Sequence, residues 1–403
     1  MDRKTVRAWC LYDFGDSAFI VTFTVIYSRL YRNAVGEADG DLWWGLVGSV
    51  SMLMVVLSAP LLGGVADHAG IRKKMLALYT GVGLAAILAF TAVEPGMVWF
   101  GFVVGTLANF AFEGAIVFYN AYLPDIAPPS HHGRVSAWGF AVGYVGSLVA
   151  LGLALPFAMR GLTDVVWFLT AAQWAFFALP AFRRMPPDRP TGMKVKDAAI
   201  EGVRRTWSTL RDVAGRKELR RFLLGCFFWM NGVNTVIFFA AVYAETTFGM
   251  GEGELIGFYA SILVTALAGS WIMAKPTDLL GPRWAVRLQI LWWIGVVLAA
   301  AAAPGKVSFW IVGLLAGMGI GGIQSCSRAF MSRLIPEGRE AELFGFYAFC
   351  GRTGAILGPW LFGATSRAFG SQRPAVLSVA IFFVVGLLFL RGITAGGPSV
   401  SKE

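Results

Sequence analysis

The chain has 403 residues, of which 57% are hydrophobic and only 14% charged, and its mean hydropathy is +0.64. So few polar groups cannot cover a water-soluble globule, which excludes a soluble fold. Lys and Arg outnumber Asp and Glu by 34 to 24, a net charge of +10; in so apolar a chain this excess reads as membrane topology and contact with anionic lipid, not as nucleic-acid binding.

In chain order, the sequence predicts twelve apolar helices at 8–31, 43–66, 75–93, 97–122, 135–158, 162–182, 221–245, 254–274, 284–303, 307–333, 343–366 and 374–391. Each approaches the roughly 20 residues needed to cross a hydrocarbon core. Barrel strands would alternate apolar and polar residues, whereas runs such as Val379 to Leu390 (VAIFFVVGLLFL) are continuous. The first run carries Asp13 and Asp16 and lacks a small-residue cleavage site, so it is expected to stay as a span. The polar stretch 183–220 divides the spans six and six, giving a first bundle at 1–182, a linker and a second bundle at 221–403. Within the linker Val203, Trp207, Leu210 and Ala214 share one helical face and Arg204, Arg205 and Arg211 lie off it. That pattern suits an interfacial helix and a solvated linker equally well.

Positive charge falls on alternate sides. Arg3, Lys4, Arg7, then Arg72, Lys73, Lys74, the linker, and Lys275, Arg283, Arg287 are basic, whereas the other loops carry Glu37, Asp39, Asp41, Glu94, Glu245, Glu252 and Glu254. Arg29, Arg32 and Arg160 run against this trend but are outnumbered. Both termini are therefore expected in the cytoplasm of a multi-pass inner (plasma) membrane protein. Trp43, Trp44, Trp99, Trp167 and Trp310 fall near predicted outer ends and fit interfacial belts. Cys10, Cys226, Cys326 and Cys350 lack the spacing of a disulfide framework, and His131 and His132 lack a third ligand, so no metal or cofactor is expected. The pattern leaves oligomeric state open and is compatible with a monomer.

The halves echo one another. GGVADHAGIRKK (63–74) follows the second span and AKPTDLLGPR (274–283) the eighth, each with an Asp three residues before a Gly. A Pro-acid turn leading into a Gly-rich span recurs in 122–146 and 334–354. Two parallel six-span repeats build the major facilitator fold, and the Gly63, Asp67, Gly70, Arg72, Lys73 loop resembles its signature, with Ile71 displacing the basic pair by one. The segments WCLYDFGDSAF (9–19), FEGAIVFYNAYLPDIA (112–127), GRVSAWGFAVGYVG (133–146) and 319–359 are more specific. Together they resemble the bacterial branch related to the fungal vacuolar amino-acid effluxer of autophagy. The fold so implied is an all-α membrane protein, a major facilitator fold with twelve transmembrane helices in two six-helix repeats. Where that family's first span reads Tyr-Asp-x-Ala-Asn-Ser, this chain has Gly15 and Asp16, and where its seventh carries Asp-Gly, this chain has Asn231 and Gly232. One carboxylate has changed helices.

Charged groups in hydrocarbon normally face a cavity or a partner. Counted from the expected cytoplasmic end of each span, Asp16, Glu113, Asn231, Gln324 and Arg352 all lie about 9 residues in, or ~13 Å at 1.5 Å per residue, near the midplane where such transporters bind substrate. Asp13 and Asp16 share a face with Tyr12 and Ser17; Asn109, Glu113 and Asn120 form a second polar stripe, and Asn231, Asn234 and Thr235 a third. Spans one, four, seven and ten line the cavity of the resembled fold. The expected substrate-binding set is Tyr12, Asp16, Asn109, Glu113, Asn231, Asn234, Gln324 and Arg352, with Asp16 and Glu113 also carrying a coupling proton. The alternative is that these groups join helices by buried hydrogen bonds or ion pairs, such as Asp16 or Glu113 with Arg352. Expected gating residues are Asp13 at a helix end, the loop residues Asp67, Arg72, Lys73, Asp278 and Arg283, and Arg328, four residues beyond Gln324. Glycines 139, 143, 146, 351, 354 and 358 permit close helix packing or shear.

No GxxxxGK[ST] loop occurs, so direct ATP drive is not indicated, and no nucleophile, base and orienting group recur as catalysis requires. The expectation is a secondary transporter for a small zwitterionic or anionic solute. An Arg at the midplane suits a carboxylate, the resemblance implies an amino acid or short peptide, and export is the expected direction. The alternatives are export of amphipathic compounds or lipids, suggested by abundant Met and Phe, and a non-transporting membrane receptor on the same fold.

Overall fold

The computed structural model describes residues 1–36, 39–191, 211 and 213–393, without the side chains of Asp41, Pro60, Glu252, Gly253, Ile256, 352–356 and Pro359. The amphipathic linker pattern at 203–214 thus lies almost wholly outside the described residues. Every regular element among those described is helical. These are α1 (Arg3–Thr22), α2 (Ser28–Val35), α3 (Gly40–Ala69), α4 (Arg72–Ala89), α5 (Val98–Ala121), the short α6 (Leu123–Ile126), α7 (His132–Ala158), α8 (Thr163–Arg184), α9 (Lys217–Phe248), α10 (Glu252–Leu279), α11 (Pro282–Ala302), α12 (Lys306–Leu334), α13 (Glu340–Phe369) and α14 (Gln372–Leu390).

Among the described residues, 11 spans are long and apolar enough to cross a membrane, the first running Arg3–Val35 through α1 and α2. The predicted window 343–366 falls on α13, a 30-residue helix with part of its side chains outside the description. Between α1 and α2 the chain forms a π turn, Phe23–Tyr27. An inserted residue of this kind rotates the later turns of a helix relative to the earlier ones. Here Tyr27 stacks on Phe90 with ring centroids 3.9 Å apart, and its hydroxyl donates to Gly101 O at 2.6 Å. Trp167 is buried against Phe90, which corrects its expected place in an interfacial belt. Its neighbours at that level are aromatic and apolar, so the indole fills the core.

The chain gathers into two compact units, and their membership is not a simple cut. The first holds Met1–Ala127, Val142–Thr206 and Glu337–Gly345; the second holds Pro128–Ala141, Trp207–Pro336 and Phe346–Glu403. In the first, α1 packs on α8 and α7. A Cβ on Gly146 would lie 2.2 Å from Phe14 O, and one on Gly143 would lie 2.9 Å from Asp13 Oδ1 and Ser17 Oγ. In the second, α10 packs on α12, where a Cβ on Gly269 would meet Met318 O at 2.1 Å and one on Gly321 would meet Ala266 O at 1.9 Å. Lipid offers helices no hydrophobic drive to associate, so such close backbone approach supplies much of the contact energy.

Candidate functional site

In the first unit, α1 and α5 face each other through aromatic rings. Trp9 stacks on Tyr119 at 4.3 Å and donates its indole N–H to Tyr119 O at 2.9 Å. Tyr12 lies 5.3 Å from Tyr119, and Phe19 lies 5.1 Å from Phe112. These pairs bracket Asp16 on α1 and Glu113 on α5, both almost wholly buried. With 12 opposite 119 and 19 opposite 112, residue 16 is level with 115. Asp16 and Glu113 therefore differ in depth by about two residues, ~3 Å at the helical rise. Two buried acids at one level must be protonated, paired or hydrogen-bonded, because ionised carboxylates in hydrocarbon are costly.

The neighbouring polar groups tie helices together. Tyr12 Oη and Thr80 Oγ1 are 2.7 Å apart, and Asn109 Nδ2 donates to Ser51 Oγ at 2.7 Å. Tyr119 Oη donates to Asp13 Oδ2 at 3.1 Å. Asn120, the end of the predicted α5 stripe, is buried as well.

In the second unit Asn231 is buried and donates to Phe227 O on its own helix at 2.7 Å. Asn234 Nδ2 reaches Gly351 O at 3.0 Å, joining α9 to α13. Gln324 is half-buried. The side chain of Arg352 lies outside the described residues. Arg328 is buried, donates through Nε to Ser136 Oγ at 2.8 Å and lies 3.9 Å over the Phe140 ring. It thereby joins α12 to the start of α7.

Two charge clusters stand at the ends of the helices that carry the basic loops. In the first unit, Asp67 at the end of α3 has Oδ1 2.9 Å from Arg72 Nε, and its Oδ2 accepts from the Glu342 N–H at 2.9 Å. Arg72 also reaches Asp125 at 2.9 Å and Glu340 at 2.8 Å. One guanidinium thus faces three carboxylates in a shielded place. Burial pushes the Asp67 carboxyl up to about 7; Arg72 and the Glu342 N–H oppose that rise and the nearby Glu340 adds to it. In the second unit, Asp278 accepts from Gly133 N at 2.7 Å and Arg134 N at 3.1 Å. Its carboxylate lies 3.1 Å from Arg134 Nε and 3.9 Å from Arg333 Nη2.

Each Asp thus sits at the N-terminus of a helix, Asp67 at α13 and Asp278 at α7, where unsatisfied N–H groups and the helix dipole favour an anion. The repeated segments meet crosswise, the first echo of one half holding the second echo of the other. Two expected gating residues stand elsewhere. Lys73 Nζ donates to Met185 O at 3.0 Å instead of an acid, and Arg283 is half-buried at the start of α11, while Asp278 takes Arg134 and Arg333. Sequence reasoning missed Asp125, Arg134, Arg333, Glu340 and Glu342. The Pro-acid echo marked their neighbourhood, but reading it as a turn hid the helix N-termini just beyond.

The chain matches the family model described as "Vacuole effluxer Atg22 like" over residues 45–395. It is 30% identical to an uncharacterized MFS-type transporter, YxiO, of Bacillus subtilis over 96% of this chain and 94% of that one. It is 22% identical to autophagy-related protein 22-1 of Penicillium rubens, over 86% of this chain and 74% of that one. Among solved structures it superposes on the human organic anion transporter MFSD10 with a TM-score of 0.79 at 15% identity, covering 96% of this chain and 99% of that one. It superposes on the Escherichia coli fucose:proton symporter FucP with a TM-score of 0.71 at 17% identity, covering 96% and 97%.

Proposed function

We infer the function from one premise: this chain belongs to the vacuole effluxer Atg22-like family and is a multi-pass membrane transporter of the major facilitator type. On that premise we propose proton-linked alternating-access export of a small zwitterion, an amino acid or short peptide, across the plasma membrane with both termini cytoplasmic. The observation that carries the coupling is the pair of buried carboxylates, Asp16 and Glu113, within about two residues of one another in depth on facing helices. Two acids so placed cannot both ionise cheaply, which suits binding and release of a proton. Arg352 is assigned to the substrate carboxylate by its charge and depth in the sequence. Asn231, Asn234 and Gln324 are assigned to substrate binding by their depth in the sequence. The amino-acid class rests on the family resemblance, and orientation on the alternation of basic loops.

The clusters around Asp67 and Asp278 are assigned as gates. A carboxylate docked on a helix N-terminus is strong while dry and is readily exchanged for water when a helix end withdraws. Such a contact has two states. Export of amphipathic compounds or lipids is the second reading, favoured by a largely apolar, aromatic-lined pocket in the second unit, with Phe239, Phe258, Phe309 and Phe362 among its walls.

The test is counterflow in proteoliposomes loaded with a pooled amino-acid mixture, for wild type, Glu113→Gln and Arg352→Ala. Saturable exchange that Arg352→Ala abolishes, and that loses its pH dependence in Glu113→Gln, is the expected result. Exchange blocked by amphipathic compounds and indifferent to amino acids would transfer the assignment to the second reading.

A further inference from the structure

Helix α4 opens with an unfavourable arrangement of charge. Arg72, Lys73 and Lys74 fill its first turn, where the helix dipole is already positive and four N–H groups lack partners within the helix. Ile71, in the capping position, offers no side-chain acceptor. The acceptor comes from far along the chain. Asp188 Oδ1 accepts from Lys73 N at 2.7 Å and Oδ2 from Lys74 N at 3.1 Å, the second and third N–H groups that a local capping residue would serve.

The same segment holds the other side of the turn. Thr191 Oγ1 donates to His68 O at 2.8 Å and Thr191 N to Ala69 O at 3.3 Å, taking up carbonyls at the end of α3. A Cβ on Gly70, whose φ is +64°, would lie 1.9 Å from Arg189 O, so the close pass of this strap requires glycine there. Pro186, Pro187 and Pro190 favour an extended strap and bring no N–H groups needing partners. The equivalent turn of the second repeat starts α11 with Pro282, which has no N–H to satisfy and a preset helical φ. The first turn lacks that solution and borrows its cap.

We propose that Asp188 is a positioning residue of the Asp67–Arg72 gate, and that the strap 185–191 at the head of the linker is a working part of that gate. By fixing the last carbonyls of α3 and the first amides of α4, it sets the separation of Asp67 and Arg72 and aims the guanidinium at Asp125 and Glu340. A pull or modification on the linker is therefore felt at Arg72. This proposal rests on the gating assignment, and its test separates the two.

In Asp188→Ala the amides of Lys73 and Lys74 exchange with deuterium about fivefold faster, the effect of losing an N-cap. In Asp188→Asn, whose amide oxygen still accepts one N–H, only one of the two is released. In amino-acid counterflow, Asp188→Ala lowers the maximal rate about fivefold with KM within about twofold, and causes no further loss when Arg72 is already Ala, as coupled neighbours require. Equal losses on both backgrounds, or unchanged exchange at Lys73 and Lys74, overturn the proposal. If Arg72→Ala alone leaves counterflow intact, the gating assignment falls while amide exchange still decides the clamp. Should Asp188→Ala not fold, Asp188→Asn and Thr191→Ala carry the same readouts.

Discussion

Asp16 and Asn231 are both fully buried, and the family resemblance implies that an acid has moved from α9 to α1. Burial favours the neutral acid on either helix, so a proton-binding carboxylate is not tied to one span. We expect Asp16→Asn and Asn231→Asp each to lower flux at least about tenfold, roughly the 1.4 kcal/mol of one lost charge-assisted hydrogen bond, and the double variant to recover part of it. Additive losses in the double variant would end the exchange argument. At this scale the sequence was legible through the cost of charge in hydrocarbon, which flags Asp16 and Glu113 without any structure. It could not divide Asn109 and Asn234 between cavity lining and helix joining. The geometry gives both a helix-joining bond, to Ser51 and to Gly351.

The informative elements are the helix ends. Asp67 has a folded-state value of about 7 against an ordinary 3.8, burial being the largest cause. Its raised value means that the folded loop prefers the protonated acid. The resulting stabilisation is complete below about pH 3.8 and is lost as pH rises through about 7. Thermal unfolding in detergent should therefore show a wild-type midpoint that falls between pH 5 and 8, and a flatter profile for Asp67→Asn, which cannot ionise yet keeps one acceptor for α13. Identical slopes would remove Asp67 as the titrating group. The sequence pointed to Asp67 and Asp278 because a topological loop needs no acid. It did not supply their partners, which stand in other loops and become neighbours only when α7 and α13 present their first N–H groups. Arg72 and Arg283 looked alike in their loops. The structure places Arg72 on three carboxylates and gives Asp278 to Arg134 and Arg333.

For the whole molecule, alternating basic loops predict that both termini lie in the cytoplasm. A C-terminal fluorescent-protein fusion should fold and fluoresce, and a C-terminal alkaline phosphatase fusion should be inactive; the reverse pair would invert the assigned topology and put the Asp67 and Asp278 clusters on the outer face. Reading the chain in one dimension already yields the solvent, the helical class, the spans and the repeat. Each follows from one-dimensional quantities, run length and charge spacing, that a bilayer reads directly because every backbone group must be satisfied within its own helix. Three-dimensional packing was needed to group 128–141 with the second half of the chain and 337–345 with the first. It alone put Asp188 on the first turn of α4. Those outcomes depend on which helix ends and side chains are left without partners after the spans form, and contacts over a hundred residues apart leave no periodicity in the sequence to announce them.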